Sequence, residues 1–234
     1  MPETAAAVSR ADSAAPREIY IDSVVPGNPL VVMGRARTFE NTVQVRVKDA
    51  QGALLREVYE TSVGEMGNHN PFTARVWLSR DPGREVLVES FEYSAKDGSV
   101  RSLTSTRVAI PPARMEATVE FATSDCDATR AFTRRVPSTV SVARLLVELL
   151  VDGPTAEERA QGATHPFPPG SRVQSVILRN GELTVDFDHR LQNVGGSCAA
   201  QAIRSTVTRT LSRLPSVREV IITAGGSREL ALQP

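Results

Sequence analysis

The sequence predicts a mixed two-domain protein, an all-β antiparallel sandwich followed by an α+β domain of order β-α-β-β-α-β with two helices on one small sheet. Three observations lead there. Up to residue 110 apolar and polar residues alternate with a period of two, between regularly spaced turns. Beyond residue 116 two stretches switch to a helical period. Between them, Ile110-Pro111-Pro112-Ala113-Arg114 reads as a short, stiff connector. The expected boundaries are a flexible N-terminal tether over 1–16, the sandwich over 17–110, a Pro-rich linker over 111–115 and the α+β domain over 116–234.

The tether is Ala, Ser, Pro and charge, with too few large apolar groups to build a core. Ile19 and Ile21 then alternate with Tyr20 and Asp22, and Leu30 to Arg37 forms a second run. Val43, Val45 and Val47 alternate with Gln44, Arg46 and Lys48; Leu54 to Glu60 follows Asp49-Ala50-Gln51-Gly52. Phe72, Ala74, Val76 and Leu78 share one face of a fifth strand, with Trp77 on the other. Val86 to Tyr93 and Arg101 to Ile110 flank the turn Lys96-Asp97-Gly98-Ser99. About seven strands with turns at this spacing suit an antiparallel sandwich.

In the second half Glu116 to Thr123 reads as a strand. Val142, Leu145, Leu146, Leu149 and Leu150 form one helical face. Gly153 and Pro154 stop that helix, and Thr155 with Glu158 makes a Thr-x-x-Glu capping box for a short one. Arg172 to Leu178 and Glu182 to Asp188 are strands joined by Asn180-Gly181, a hairpin signal. Ala200, Ile203, Val207, Leu211 and Leu214 mark a long helix, with Ser197 as expected N-cap and Pro215 as expected stop. Val217 to Thr223 is the last strand.

Composition narrows the function classes. In 234 residues, 27 basic groups balance 27 acidic ones, which argues against a nucleic-acid surface or a polybasic membrane anchor. No apolar run reaches the roughly 18 residues that span a bilayer. Residues 1–7 have neither the basic nor the apolar region of a signal peptide, and no lipobox cysteine is present. Any anchor is therefore expected to have been removed from this chain.

Arg135-Val136-Pro137, Leu149-Leu150-x-x-Gly153-Pro154-Thr155-x-x-Glu158, Pro169-Gly170-Ser171, Gly181, Val185-Asp186-Phe187, Thr210-Leu211 and Pro215-x-Val217-x-x-Val220 together resemble the GerMN domain of bacterial envelope and spore-germination proteins. Ser23, Pro26, Gly34-x-Ala36, Phe39-Glu40, Asp49-x-x-Gly52, Pro71-Phe72 and Ser94-x-x-Asp97-Gly98 resemble the immunoglobulin-like Gmad2 module that accompanies it. The resemblance implies an extracytoplasmic, often lipid-anchored, non-enzymatic protein of the cell envelope. Its implied work is protein–protein assembly linked to sporulation or spore germination, through self-association or an envelope partner, because GerMN domains are similar to ring-building modules. It implies no catalytic residues and no cofactor, and membrane contact only through an anchor not in this chain.

The alternative function is a peptidoglycan- or carbohydrate-binding module. Its candidate contacts are Trp77 and Tyr93 on the sandwich, and Asp186, Asp188 and His189 at a strand end, where alternation puts both carboxylates on one face. One histidine with two carboxylates is too little for a metal claim. Cys126 and Cys198 are a candidate disulfide, favoured by an exported setting, against two free thiols. No Ser-His-Asp order, acid pair or zinc motif can be assembled from the sequence. Arg204, Arg209 and Arg213 read as solvated helix charges, and His69 and His165 as loop residues.

Overall fold

A computed structural model describes residues 18–124, 126–192 and 194–233. The expected tether lies outside the described residues. Contacts divide the chain into two units: the first runs to Met115 and also holds Arg135–Thr139, and the second holds Glu116–Arg134 and the chain from Val140.

The first unit is a sandwich of a three-stranded sheet and a four-stranded sheet. The first sheet orders β1 (Ile19–Val25), β2 (Leu30–Ala36) and β5 (Asn70–Val76). The second orders β4 (Leu54–Thr61), β3 (Thr42–Asp49), β6 (Glu85–Tyr93) and β7 (Val100–Ala109). Every pairing is antiparallel. Alternation sets the register: Val43, Val45 and Val47 are fully buried, while Gln44, Arg46 and Lys48 between them face partly outward. Gly34 is required where β2 passes under Phe72, because a methyl group there would lie 2.7 Å from the Phe72 ring and 2.1 Å from the Tyr20 carbonyl oxygen.

One buried amide ties this sandwich to its own continuation. The Asn28 side chain accepts from the Leu78 N–H at 2.9 Å and donates to the Leu78 and Pro137 carbonyls, both at 3.2 Å. All three hydrogen bonds replace water that the buried amide has lost. Residues Arg114 and Met115, expected in the linker, already belong to strand β8 (Arg114–Ala122).

Strand β8 pairs with β9 (Thr129–Pro137) in a two-stranded sheet. A separate three-stranded sheet orders β10 (Val173–Arg179), β11 (Glu182–Phe187) and β12 (Glu219–Ala224). The expected single sheet is thus two, and β9 is a strand the expected order lacked. Its inward residues are Phe132, Arg134 and Val136. The period of two is there, but a buried arginine hides it.

Helix α1 (Val142–Asp152) buries Leu145, Leu146, Leu149 and Leu150, the predicted face. Helix α2 (Ala156–Ala160) follows, and α3 (Ser197–Leu211) packs beside α1. Its N-cap is Gly196 and not Ser197, which is already the first helical residue. A hydroxyl caps only from the residue ahead of the first turn. The helix also ends at Leu211, before Pro215 is reached. Asn180 and Gly181, with φ of 51° and 84°, close the β10–β11 hairpin as predicted. No helix among the described residues is long and apolar enough to cross a membrane.

Candidate interaction surface

The residues suspected of ligand contact do not form one site. Trp77 is only 7 % exposed, which overturns its reading as an open stacking platform. Strand β5 ends at Val76, so the alternation that pointed Trp77 outward stops one residue earlier, and Trp77 and Leu78 are buried in succession. Tyr93 is exposed, but its hydroxyl donates to Glu57 at 2.9 Å and its ring meets Phe91 edge-on at 5.0 Å.

Asp186 and Asp188 are not two carboxylates on one open face. Asp186 accepts from the Thr223 hydroxyl at 2.6 Å and the Gly226 N–H at 2.9 Å, fixing the turn after β12. Asp188 lies beyond the end of β11, is buried, and pairs with Arg190 at 2.5 Å. His189 follows in an exposed helical turn. Among the described residues no group of His, Cys, Asp and Glu side chains is placed to hold a metal ion.

Cys126 and Cys198 are joined by a disulfide that closes 72 residues, linking the β8–β9 turn to the first turn of α3. Arg209 and Arg213, on and just past α3, reach back to Thr129 and Glu120 of the β8–β9 pair at 3.2 and 2.9 Å.

The stretch from Leu149 to Glu158 is organised by a residue outside it. Arg134 meets Glu158 with two hydrogen bonds, at 2.9 and 2.5 Å, and also donates to the Gly153 carbonyl at 2.8 Å. Its guanidinium stands over the Phe121 ring, 5.2 Å from the centroid. Glu158 in turn takes the Thr155 N–H at 2.7 Å, while the Thr155 hydroxyl takes the Glu158 N–H at 3.2 Å, completing the capping box. Gly153 has a φ of 87°, and a Cβ there would press on the His165 ring at 3.0 Å. His165 itself is exposed; partial desolvation of its ring lowers its pKa, opposed by backbone carbonyls at the end of α1 and the charge of Asp152.

The second unit presents one apolar edge. Strand β10 is the outer strand of its sheet and, among the described residues, pairs only with β11. Arg144 of α1 donates to the Val173 and Gln174 carbonyls at 2.7 and 3.2 Å, covering the start of that edge. In a ladder closed by a two-residue turn at Arg179–Glu182, Leu178 and Val176 turn their N–H and C=O groups away from β11. Leu178 and Ile177 are each 44 % exposed. Val140, wholly exposed, and the first residues of α1 line a shallow groove with Val176, Leu178 and Leu183. An outer strand whose backbone groups turn outward beside exposed apolar side chains is a template for strand pairing.

The family models divide as the fold does. Residues 117–229 match the Germane model, described as sporulation and spore germination. Residues 20–99 match the Gmad2 model, described as the immunoglobulin-like domain of bacterial spore germination. The chain is a Gmad2–Germane protein. Two solved structures are similar to about half of the chain. The tandem GerMN domains of the sporulation protein GerM from Bacillus subtilis are 18 % identical, with a TM-score of 0.39, over 49 % of this chain and 40 % of that one. The first GerMN domain of the same protein is 26 % identical, with a TM-score of 0.39, over 47 % of this chain and 84 % of that one. This chain thus spans less than half of the tandem structure. No curated protein sequence matches it.

With the geometry in hand, the positions that carry the Germane resemblance have structural work. Thr155 and Glu158 cap α2 and hold Arg134; the Ser171 hydroxyl donates to the Pro168 carbonyl at 2.7 Å. In the Gmad2 domain Gly34 makes room for Phe72. Sequence reasoning missed Arg134 and Arg144, because an arginine in a strand or first helical turn reads as a solvated charge.

Proposed function

We propose that this protein is a non-enzymatic assembly module of the bacterial cell envelope that self-associates through the β10 edge of its Germane domain. The observation that carries this reading is the outer position of β10, where outward backbone groups of Val176 and Leu178 lie beside exposed Ile177, Leu178 and Val140. Pairing there adds main-chain hydrogen bonds and covers apolar surface in one step. An extracytoplasmic location is supported by the Cys126–Cys198 disulfide, since such bonds persist in oxidising compartments. The role in sporulation or germination is supported by the two family descriptions, which speak of a process and not of a reaction.

Amide hydrogen exchange tests the assignment. The Val176 and Leu178 amides exchange fast in dilute protein and become protected as concentration rises. Unchanged exchange at every concentration refutes pairing through this edge.

A further inference from the structure

At one end of the Gmad2 sandwich, the loops between β2 and β3 and between β4 and β5 are locked together. Asn41 donates to the Gly64 carbonyl at 3.0 Å, and its own carbonyl accepts from the Ser62 N–H at 2.8 Å. Asn70 donates to the Glu65 carbonyl at 2.6 Å and to the Asn41 side-chain oxygen at 3.3 Å. Both asparagines are buried. On the other side, the Phe39 N–H and the Ser102 hydroxyl donate to Glu92 at 3.2 and 3.1 Å.

This scaffold holds Glu40 and Asn41 in the left-handed region, at φ of 54° and 56°. Side chains rarely adopt that region without a surrounding that enforces it, and such residues cluster at binding sites. What the scaffold presents is apolar: Phe39, Val63 and Met66 are 67 %, 78 % and 75 % exposed. They stand within a few residues of the same asparagine pair, on loops at the end of the sandwich opposite the end of β7. Loops at one end of a rigid sandwich are a common place for binding. Glu40 adjoins Phe39 and Glu65 adjoins Met66, while segments 38–41 and 60–70 contain no lysine or arginine; the β6–β7 hairpin at the same end carries Lys96 and Arg101 beside the acidic Glu92 and Asp97.

We propose that this end of the Gmad2 domain docks a partner protein whose contact surface is apolar and rimmed by lysine or arginine. Fixed apolar anchors lose little freedom on binding, and acidic neighbours select a basic rim. The same acidic groups disfavour an anionic bilayer. This surface lies in a different domain from β10, so the two readings fail separately.

A synthetic amphipathic helix of leucine and lysine, titrated into the intact chain and followed by NMR, is the probe. The expected result is amide shifts confined to residues 37–41 and 62–70, with affinity that falls as salt rises. In Phe39→Ser/Met66→Ser affinity drops by about tenfold or more, with an unchanged far-UV spectrum because both side chains are exposed. Equal binding of a leucine–glutamate helix, shifts elsewhere, or undiminished binding by the double variant overturns the proposal. So does binding to anionic phospholipid vesicles in place of the peptide. Loss of the chain's own self-association in that variant reassigns the surface to a second copy, which also overturns it.

Discussion

Arg134 of β9 and Glu158 of α2 are 24 residues apart in sequence and face each other through two hydrogen bonds, with less than a tenth of either side chain exposed. That pair binds Gly153, Thr155 and Glu158 into one structural unit. The glutamate caps its own helix and neutralises a buried cation from another element, and the same cation holds the Gly153 carbonyl. Removing one member leaves the other buried and unpaired. Arg134→Met therefore lowers stability by about 3–5 kcal/mol. Replacing both members with methionine restores part of that loss, short of the roughly 1 kcal/mol that goes with the helix cap. Denaturant midpoints of the three proteins check this.

The disulfide gives a second prediction. Closing 72 residues between Cys126 and Cys198 restricts the unfolded chain, an effect worth about 4 kcal/mol in the loop-entropy account. Cys126→Ser/Cys198→Ser lowers the unfolding midpoint accordingly, and reduction of the parent chain lowers it equally. Thiol counting on unfolded, unreduced protein returns no free thiol.

Glu89 links stability to pH. Burial raises its pKa, but hydrogen bonds and charge from Arg46 and Lys48 outweigh that and hold the carboxyl below its usual range. A lowered carboxyl contributes stability above its unfolded pKa of about 4.3 and loses it as pH falls through the lower folded value. The parent chain is thus more stable than Glu89→Gln at neutral pH. The gap between them narrows as pH drops below about 4.3. A constant gap across that window contradicts the assignment.

Trp77 is the one tryptophan of the chain, so its fluorescence reports on a single place. Its burial predicts a blue-shifted emission that acrylamide quenches poorly and that cell-wall fragments leave unchanged. Red emission, or a shift with fragments, restores the sugar-stacking reading.

The sandwich was legible because alternation carries the register: each valine from Val43 to Val47 that reads inward lies inward. The α1 face and the Asn180-Gly181 turn were legible for the same local reason. What escaped depends on partners far apart in sequence. β9 was missed because its middle inward position is Arg134, whose burial is intelligible only with Glu158 in place. Trp77 was placed outward because alternation says nothing about where a strand stops. Asp188 read as sharing a strand face with Asp186, but β11 ends at Phe187 and packing beyond the strand end buries it. The locked loops around Asn41 and Asn70 carry no periodic signal, since their order comes from side chains bonding to backbone and to each other across 23 and 29 residues.

The assembly reading is tested most directly by mass from light scattering across a concentration series, for the parent chain and Leu178→Lys, with and without peptidoglycan fragments. The account predicts that mass grows with concentration in the parent, that the lysine on the β10 edge abolishes the growth, and that fragments change neither. A parent chain that stays monomeric at every concentration and gains mass only with fragments contradicts it.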